Sequence, residues 1–270
     1  MCRPTRHRVP LARPLLVAAI VLGACAAPPV DWRPATAVAR IRGEGVALTA
    51  DGAVRPDSIG RLAPHVAAPP GPVCASSLRL ASARGTVFGV WWAPRPDSGA
   101  RLLAARSTDG GRSWSAPAAV DTTDAGVAGC RREPASIAAD SASGYVHVAY
   151  ALQGVEGPGL FFSESMDGGV TFHAPVPILY GERLGATSVA ADGDLVVVAF
   201  EDPNSSTPRI GLALSRTMGH IFEQRILPVS DDNDRAVHPL VAVAGRRVAV
   251  AWEPSGGDSD MLTVRAGIVR

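Results

Sequence analysis

The chain has 270 residues and a formal net charge of +1; it is 47% hydrophobic, with 28 glycines and 23 prolines. That length supports one sizeable core, and a charge this near zero removes the case for nucleic-acid binding or electrostatic adhesion to a membrane. All 26 basic residues are arginine, from which no function is read.

The first segment is not fold. Arg3, Arg6, Arg8 and Arg13 form a basic region ahead of an apolar run at 15–22, too short for an ordinary membrane span. The run leads into Leu22-Gly23-Ala24-Cys25, which resembles the lipobox of bacterial lipoproteins. The resemblance implies a signal peptide over 1–24, lipidation of Cys25, and an extracytoplasmic envelope protein anchored in a membrane, the outer one where the cell has two. The alternative is an ordinary secretory signal cut near Ala26 or Ala27. Residues 25–63 read as a tether, Pro-rich over 26–45, that also holds a candidate closing strand.

From residue 64 onward the chain repeats. Four hairpins superpose: 78–80 with 87–92, 136–138 with 145–150, 188–190 with 195–200, and 240–243 with 248–252. Each sets two β-rich runs about a Gly-containing turn and ends on an aromatic residue, Trp92, Tyr150, Phe200 or Trp252. A step of 15 from the first three aromatics lands on Ser107, Ser165 and Ser215. The first two serines open nearly identical octets, Ser107-Thr108-Asp109-Gly110-Gly111-Arg112-Ser113-Trp114 and Ser165-Met166-Asp167-Gly168-Gly169-Val170-Thr171-Phe172. The pattern asks for a tight turn, with Asp bonding later backbone N–H groups and glycine supplying positive φ. The third copy, at 215–222, carries Thr217 in place of the Asp, so that turn is expected to be less well tied.

A further strand before each turn (102–106, 160–164, 210–214, 262–266) and one after it make a four-stranded unit. The expected fold is all-β, a propeller of about four four-stranded antiparallel blades over 64–270. The step from Trp252 reaches Gly267, so the fourth blade lacks its outer strand. Val46-Ala47-Leu48-Thr49 is the expected replacement, closing the ring by strand exchange. A truncated piece of a larger propeller, or a ring that needs a partner, remains open as an alternative.

The Asp turns resemble the Asp-box, or BNR, repeats of the sialidase superfamily, over roughly 74–270. The resemblance implies structural roles for Ser107, Asp109, Gly111, Trp114, Ser165, Asp167, Gly169 and Phe172 on the face opposite the catalytic one. Such boxes occur in sialidases, other glycosidases, sorting receptors and photosystem assembly factors, so they do not fix a function. Sialidases add an arginine triad, a Tyr–Glu nucleophilic pair and an Asp acid/base. The Phe/Tyr-Arg-Ile-Pro motif that usually carries one of those arginines is absent from this sequence.

On the face opposite the turns, Arg132, Arg183 and Arg235 stand 18, 17 and 17 residues before successive repeat aromatics, with Glu201 and Glu253 on the same face. Two readings stay open. The arginines form a cluster, with Glu253 beside it, for a carboxylate, sulfate or phosphate, or each pairs with its neighbour Glu133, Glu182 or Asp234. The one nucleophile-like grouping is Tyr180 with Glu182 or Glu201. Cys74 and Cys130 hold nearly the same place in the first two blades and are expected to form a disulfide. The acidic run at 231–234 lacks the Gly and distal Glu of an EF-hand loop and reads as solvated. His147 and His238 look isolated, so neither a metal nor a cofactor is expected. The functional reading is a lipid-anchored, non-catalytic binding or scaffold propeller for a glycan, another anionic small molecule or an envelope protein. The alternative is a sialidase-like exo-glycoside hydrolase, and a third reading is a degenerate fragment kept as an envelope assembly part.

Overall fold

The computed structural model describes residues 27–39, 46–48, 54–56, 67–231, 235–256 and 261–270. Cys25 and the apolar run before it lie outside the described residues. Four short N-terminal strands come first: β1 (Val30–Trp32), β2 (Thr36–Ala39), β3 (Val46–Leu48) and β4 (Val54–Pro56). The first four-stranded unit is β5 (Arg79–Ala83), β6 (Thr86–Pro94), β7 (Ala100–Ser107) and β8 (Ala118–Asp121). The second is β9 (Ser136–Ala139), β10 (Val146–Gly154), β11 (Gly157–Ser165) and β12 (Val176–Tyr180). The third is β13 (Thr187–Asp192), β14 (Leu195–Glu201), β15 (Ile210–Ser215) and β16 (Gln224–Pro228). The fourth supplies β17 (Ala236–Ala244), β18 (Arg247–Pro254) and β19 (Met261–Val269). Neighbouring strands are antiparallel and paired in chain order in each unit, which makes every unit a propeller blade.

The sequence of β14 shows why the blades stack. Leu195 to Phe200 are all buried, although a half-exposed strand would alternate apolar with polar residues. Val196, Val198 and Phe200 join a core shared with blade 2, while Leu195, Val197 and Ala199 join one shared with blade 4. In β10, Val148, Tyr150 and Leu152 turn to blade 1 and Ala149 and Ala151 to blade 3. The inner strands β5, β9, β13 and β17 therefore stand side by side in that order.

Among the described residues, the two end blades each have one face without a neighbouring blade. Blade 1 covers its free face from within: Trp91 and Ala93 are buried under Val73, Leu78, Leu103 and Trp114, whose indole N–H donates to the Ala67 carbonyl at 2.8 Å. On blade 4, Leu240 and Ile268 stay 63% and 46% exposed, and among the described residues no apolar core joins blade 4 to blade 1.

An N-terminal strand completes blade 4, but it is not the expected one. Val46–Leu48 forms a hairpin with Val54–Pro56, and β19 instead pairs with β1 and β2. β1 wins because its partner strand is shaped for it. Val30 is buried in the blade 3–blade 4 core, Asp31 pairs with Arg270, and the Arg270 amide donates to the Pro29 carbonyl at 3.0 Å. Trp32 lies 5.5 Å under the Arg265 guanidinium. Gly267 makes the room, since a Cβ there would meet the Val30 Cγ1 at 2.7 Å and the Asp31 carbonyl at 2.9 Å. The expected disulfide is present: Cys74 and Cys130 are bonded, with Cα atoms 5.3 Å apart.

Replacing Gly267 with valine should cost about 1–3 kcal/mol of overpacking. It should also loosen β1, read as a lower melting temperature together with new proteolytic cleavage near residue 33. A variant as stable and as protease-resistant as wild type would show that β1 does not pack there.

Candidate functional site

The two ends of the blades differ in kind. At one end, Asp109 accepts hydrogen bonds from the Ser113 hydroxyl and amide, the Ser107 hydroxyl and the Arg112 amide. The Ser113 bonds lead in holding its carboxyl well below the usual carboxylate range. Asp167 repeats the set with Thr171, Ser165 and Val170; partial desolvation opposes ionisation there, but these bonds outweigh it and keep the carboxyl well below its ordinary value. In the third copy, Thr217 Oγ1 accepts from the Ile221 amide at 2.9 Å and contacts Ser215 Oγ, a thinner set of bonds, as expected. The second glycine of each later turn lies against the preceding blade: a Cβ on Gly169 would be 3.2 Å from Phe88, and one on Gly219 2.6 Å from Phe162. Both take positive φ, +82° and +98°. These carboxylates are consumed by turns that brace one blade on the next, which leaves them no chemistry to do.

The opposite end holds a central cavity of about 430 Å³. All four inner strands contribute to it, with Arg79, Ser136, Thr187, Ser188 and His238 among the lining residues, and Glu133 joins them from the loop before β9. Ser136 Oγ and Thr187 Oγ1 lie 3.3 Å apart, and both donate to the Ala149 carbonyl. His238 is a non-glycine residue at φ +51°, placed where the β17–β18 register slips between Val237 and Leu240. Two carboxylates hold it: Glu201 Oε1 accepts from its amide at 2.8 Å, and Glu253 Oε2 lies 3.2 Å from its Nδ1. Strain at a cavity mouth, retained by two acids, is the kind of feature found at binding sites. The loop bearing Glu133 is fixed by the Cys74–Cys130 bridge and by the Trp92 indole N–H, which donates to the Glu133 carbonyl at 2.9 Å.

The expected arginine cluster does not assemble. Arg132 turns inward with its side chain only 6% exposed, paired with the buried Asp124. It also donates to the Gly126 and Gly129 carbonyls and lies 5.8 Å over the Trp92 ring. A guanidinium so fully engaged has nothing left for a ligand, and its acid is Asp124 rather than Glu133. Arg183 is exposed and donates to the Ser206 carbonyl at 3.1 Å, while Glu182 beside it is exposed. Arg235 is exposed, and Asp234 lies outside the described residues. None of the three arginines lines the central cavity.

Tyr180 pairs with neither Glu182 nor Glu201. Its hydroxyl donates to Glu156 Oε2 at 2.7 Å on the outer rim of blade 2, where that hydrogen bond raises the phenol above its ordinary pKa. Glu201 and Glu253 do come together, around His238. His147 is not isolated either. It is fully buried on the turn face with its Nδ1 3.9 Å from Glu164 Oε2, and desolvation lowers its pKa to about 4. Burial also raises Glu164. Sequence reasoning missed Arg79, Asp124, Glu156 and the paired hydroxyls of Ser136 and Thr187. Ser136 and Ser188 did carry a signal, since they align at the same place in the repeated hairpins.

The fold and the central cavity define a β-propeller with a polar mouth. No protein-family model and no curated protein matches the sequence. Among solved structures, the chain is similar to a protein of unknown function from Dyadobacter fermentans, at 17% identity and a TM-score of 0.52 over 70% of this chain and 52% of that one. It is also similar to the Hadza microbial sialidase Hz136, at 17% identity and a TM-score of 0.48 over 67% and 42%. A third similar structure is the Penicillium chrysogenum alpha-L-arabinanase complexed with arabinobiose, at 12% and 0.46 over 68% and 60%. The chain thus spans about half the length of the first two, and what is shared is fold.

If Arg132 is a structural residue, Arg132→Ala leaves Asp124 buried without its cation and should lower stability by about 3–5 kcal/mol. Arg183→Ala, on the surface, should stay within about 0.5 kcal/mol of wild type. Urea denaturation of both variants tests this, and equal small effects would return Arg132 to the list of ligand-binding residues.

Proposed function

We propose that this chain is a non-catalytic binding propeller, lipid-anchored through Cys25 on the outer side of a bacterial membrane, whose central cavity takes a glycan. The observation that carries the reading is the cavity's lining. Hydroxyls from Ser136, Thr187 and Ser188, a carboxylate from Glu133 and the imidazole of His238 converge from separate blades. A few oriented polar groups in a concave pocket suit a polyhydroxylated ligand. Arg79 adds one cation; its Nη1 donates to the Ser76 and Leu78 carbonyls, which leaves the Nε–Nη2 edge for an acidic group on the ligand. The Asp turns, read as Asp boxes, act as bracing in this picture, and an envelope protein bearing glycan is a natural partner.

A second reading has one observation in its favour. The Tyr180–Glu156 hydrogen bond reproduces the Tyr–Glu pairing of a sialidase-like hydrolase. Against it, the pair borders a separate rim cavity of about 330 Å³ lined by Gly154, Phe161, Pro175 and Pro177, with neither Arg132 nor Arg183 beside it.

The test is a glycan-array screen of the full chain. Binding to a glycan class should weaken about tenfold in Thr187→Val and in His238→Ala and be unchanged in Tyr180→Phe. Hydrolysis of a fluorogenic sialoside that disappears in Tyr180→Phe would replace the binding reading with the enzymatic one.

A further inference from the structure

On the turn-bearing face, at the seam between blades 2 and 3, a buried carboxylate is surrounded by imidazoles. Glu164, near the end of β11, has a side chain only 6% exposed. His220 comes from the third turn copy, on blade 3, and its Nδ1 is 2.6 Å from Glu164 Oε1. His173 follows the second turn, and its Nδ1 is 3.8 Å from the same oxygen. His147 on β10 approaches the other oxygen from beneath, stacked on Phe162 with ring centroids 5.9 Å apart.

Two features set this group apart from an ordinary buried ion pair. Both ring nitrogens of His147 and the Oε2 of Glu164 are buried without a hydrogen-bond partner, which is unfavourable for each such group. A cavity of about 420 Å³ also opens over Glu164, His173 and His220, so a ligand has a way in. The backbone fixes two of the donors relative to each other: the His173 amide donates to the Glu164 carbonyl at 2.9 Å, and the Ser163 hydroxyl donates to the His173 carbonyl at 2.8 Å. His220 follows directly on Gly219, whose missing side chain lets the turn sit against Phe162 and Glu164.

Two imidazoles and one carboxylate facing an open cavity make the donor set of a three-ligand site for a borderline divalent cation such as Zn²⁺. We propose that Glu164, His173 and His220 bind a divalent transition metal, with His147 packed beneath Glu164. Donors on one such ion, at about 2.0–2.1 Å each, lie about 3.3 Å apart in a tetrahedral arrangement. Among the described residues no group of three His, Cys, Asp or Glu side chains is already arranged to hold a metal ion. Here Glu164 Oε1 stands 2.6 Å from His220 Nδ1 and 3.8 Å from His173 Nδ1, so the first contact has to open, the second to close, and both imidazoles have to turn toward one point. His220 and His173 are 38% and 53% exposed, and side-chain rotation is free to supply those shifts. Because its ligands come from both sides of the seam, the ion would staple blade 3 to blade 2 at the turn that has Thr217 where the others have Asp. His147 Nδ1 lies 3.9 Å from Glu164 Oε2, close beneath the carboxylate without bonding it.

The test uses the full chain, stripped with EDTA and titrated with ZnCl₂ by calorimetry, with CoCl₂ absorption as a second probe. The expected result is one ion per chain, a tetrahedral Co²⁺ spectrum and a melting temperature raised by several degrees when Zn²⁺ is present. Glu164→Gln and His220→Ala should each weaken Zn²⁺ binding at least tenfold, while Glu182→Gln leaves it unchanged. Circular dichroism without metal establishes that each variant is folded; if His220→Ala is not, the more exposed His173→Ala takes its place. The proposal is overturned if wild type shows no saturable Zn²⁺ binding, or if folded Glu164 and histidine variants bind as wild type does. Because the site lies on the face opposite the central cavity, its failure leaves the glycan reading untouched.

Discussion

A four-stranded sheet with two apolar faces has no stable existence alone, and that constraint orders the whole molecule. Blades 2 and 3 bury both faces because each has a neighbour on either side. Phe200, fully buried, gains about 1.5–3 kcal/mol on burial, and Trp92, Tyr150 and Trp252 hold the corresponding place in the other blades. Blade 1 meets the same demand by other means, whereas blade 4 leaves Leu240 and Ile268 exposed. Blade 1 folds its own entering segment and Trp114 over Trp91. Blade 4 takes a strand from the N-terminus to cover the edge of β19, with Val30 completing the core against blade 3.

Stacking also separates the polar residues into two groups with different fates. At the turn end they reach across seams. Asp140 accepts from the Gly193 amide, Asp192 from the Gly245 amide, and Arg84 donates to the Ser141 carbonyl, so each inner hairpin is tied to the next. At the other end, the inner strands start around a cavity and their polar side chains face a common space. The turn end is thus braced across its seams, and the other end is concave and polar. The buried Arg132–Asp124 pair belongs to the scaffold: with the disulfide, it fixes the loop that carries Glu133 to the cavity edge.

Much of the fold was legible because its signals are local and recur. The aromatic in the second strand of each blade, with a serine 15 residues after the first three, fixes the blade period, and the sheets follow it. Cys74 and Cys130 could be paired because they sit at equivalent places in neighbouring blades. The closing strand was legible in kind and not in place. Val30–Trp32 lies among Pro28, Pro29 and Pro34 and looks like tether, and its fit depends on Gly267 and Arg270 more than 230 residues away. For the arginines, equivalent spacing located the backbones correctly but could not give the direction of a side chain. Arg132 turned inward because Asp124, eight residues earlier, is buried and needs a cation. The histidines around Glu164 come from two blades and share no spacing, so only the seam between those blades brings them together.

The claim on which the account rests is that inter-blade burial, completed by β1, makes these sheets one stack. Hydrogen–deuterium exchange of the full chain tests it most directly. The slowest amides should lie in β10 and β14, covered on both faces, and those of β1 should exchange as slowly as those of β19, with β17 and β18 faster than β14. Exchange of β1 at the rate of unstructured chain, or of β14 ahead of β18, would contradict it.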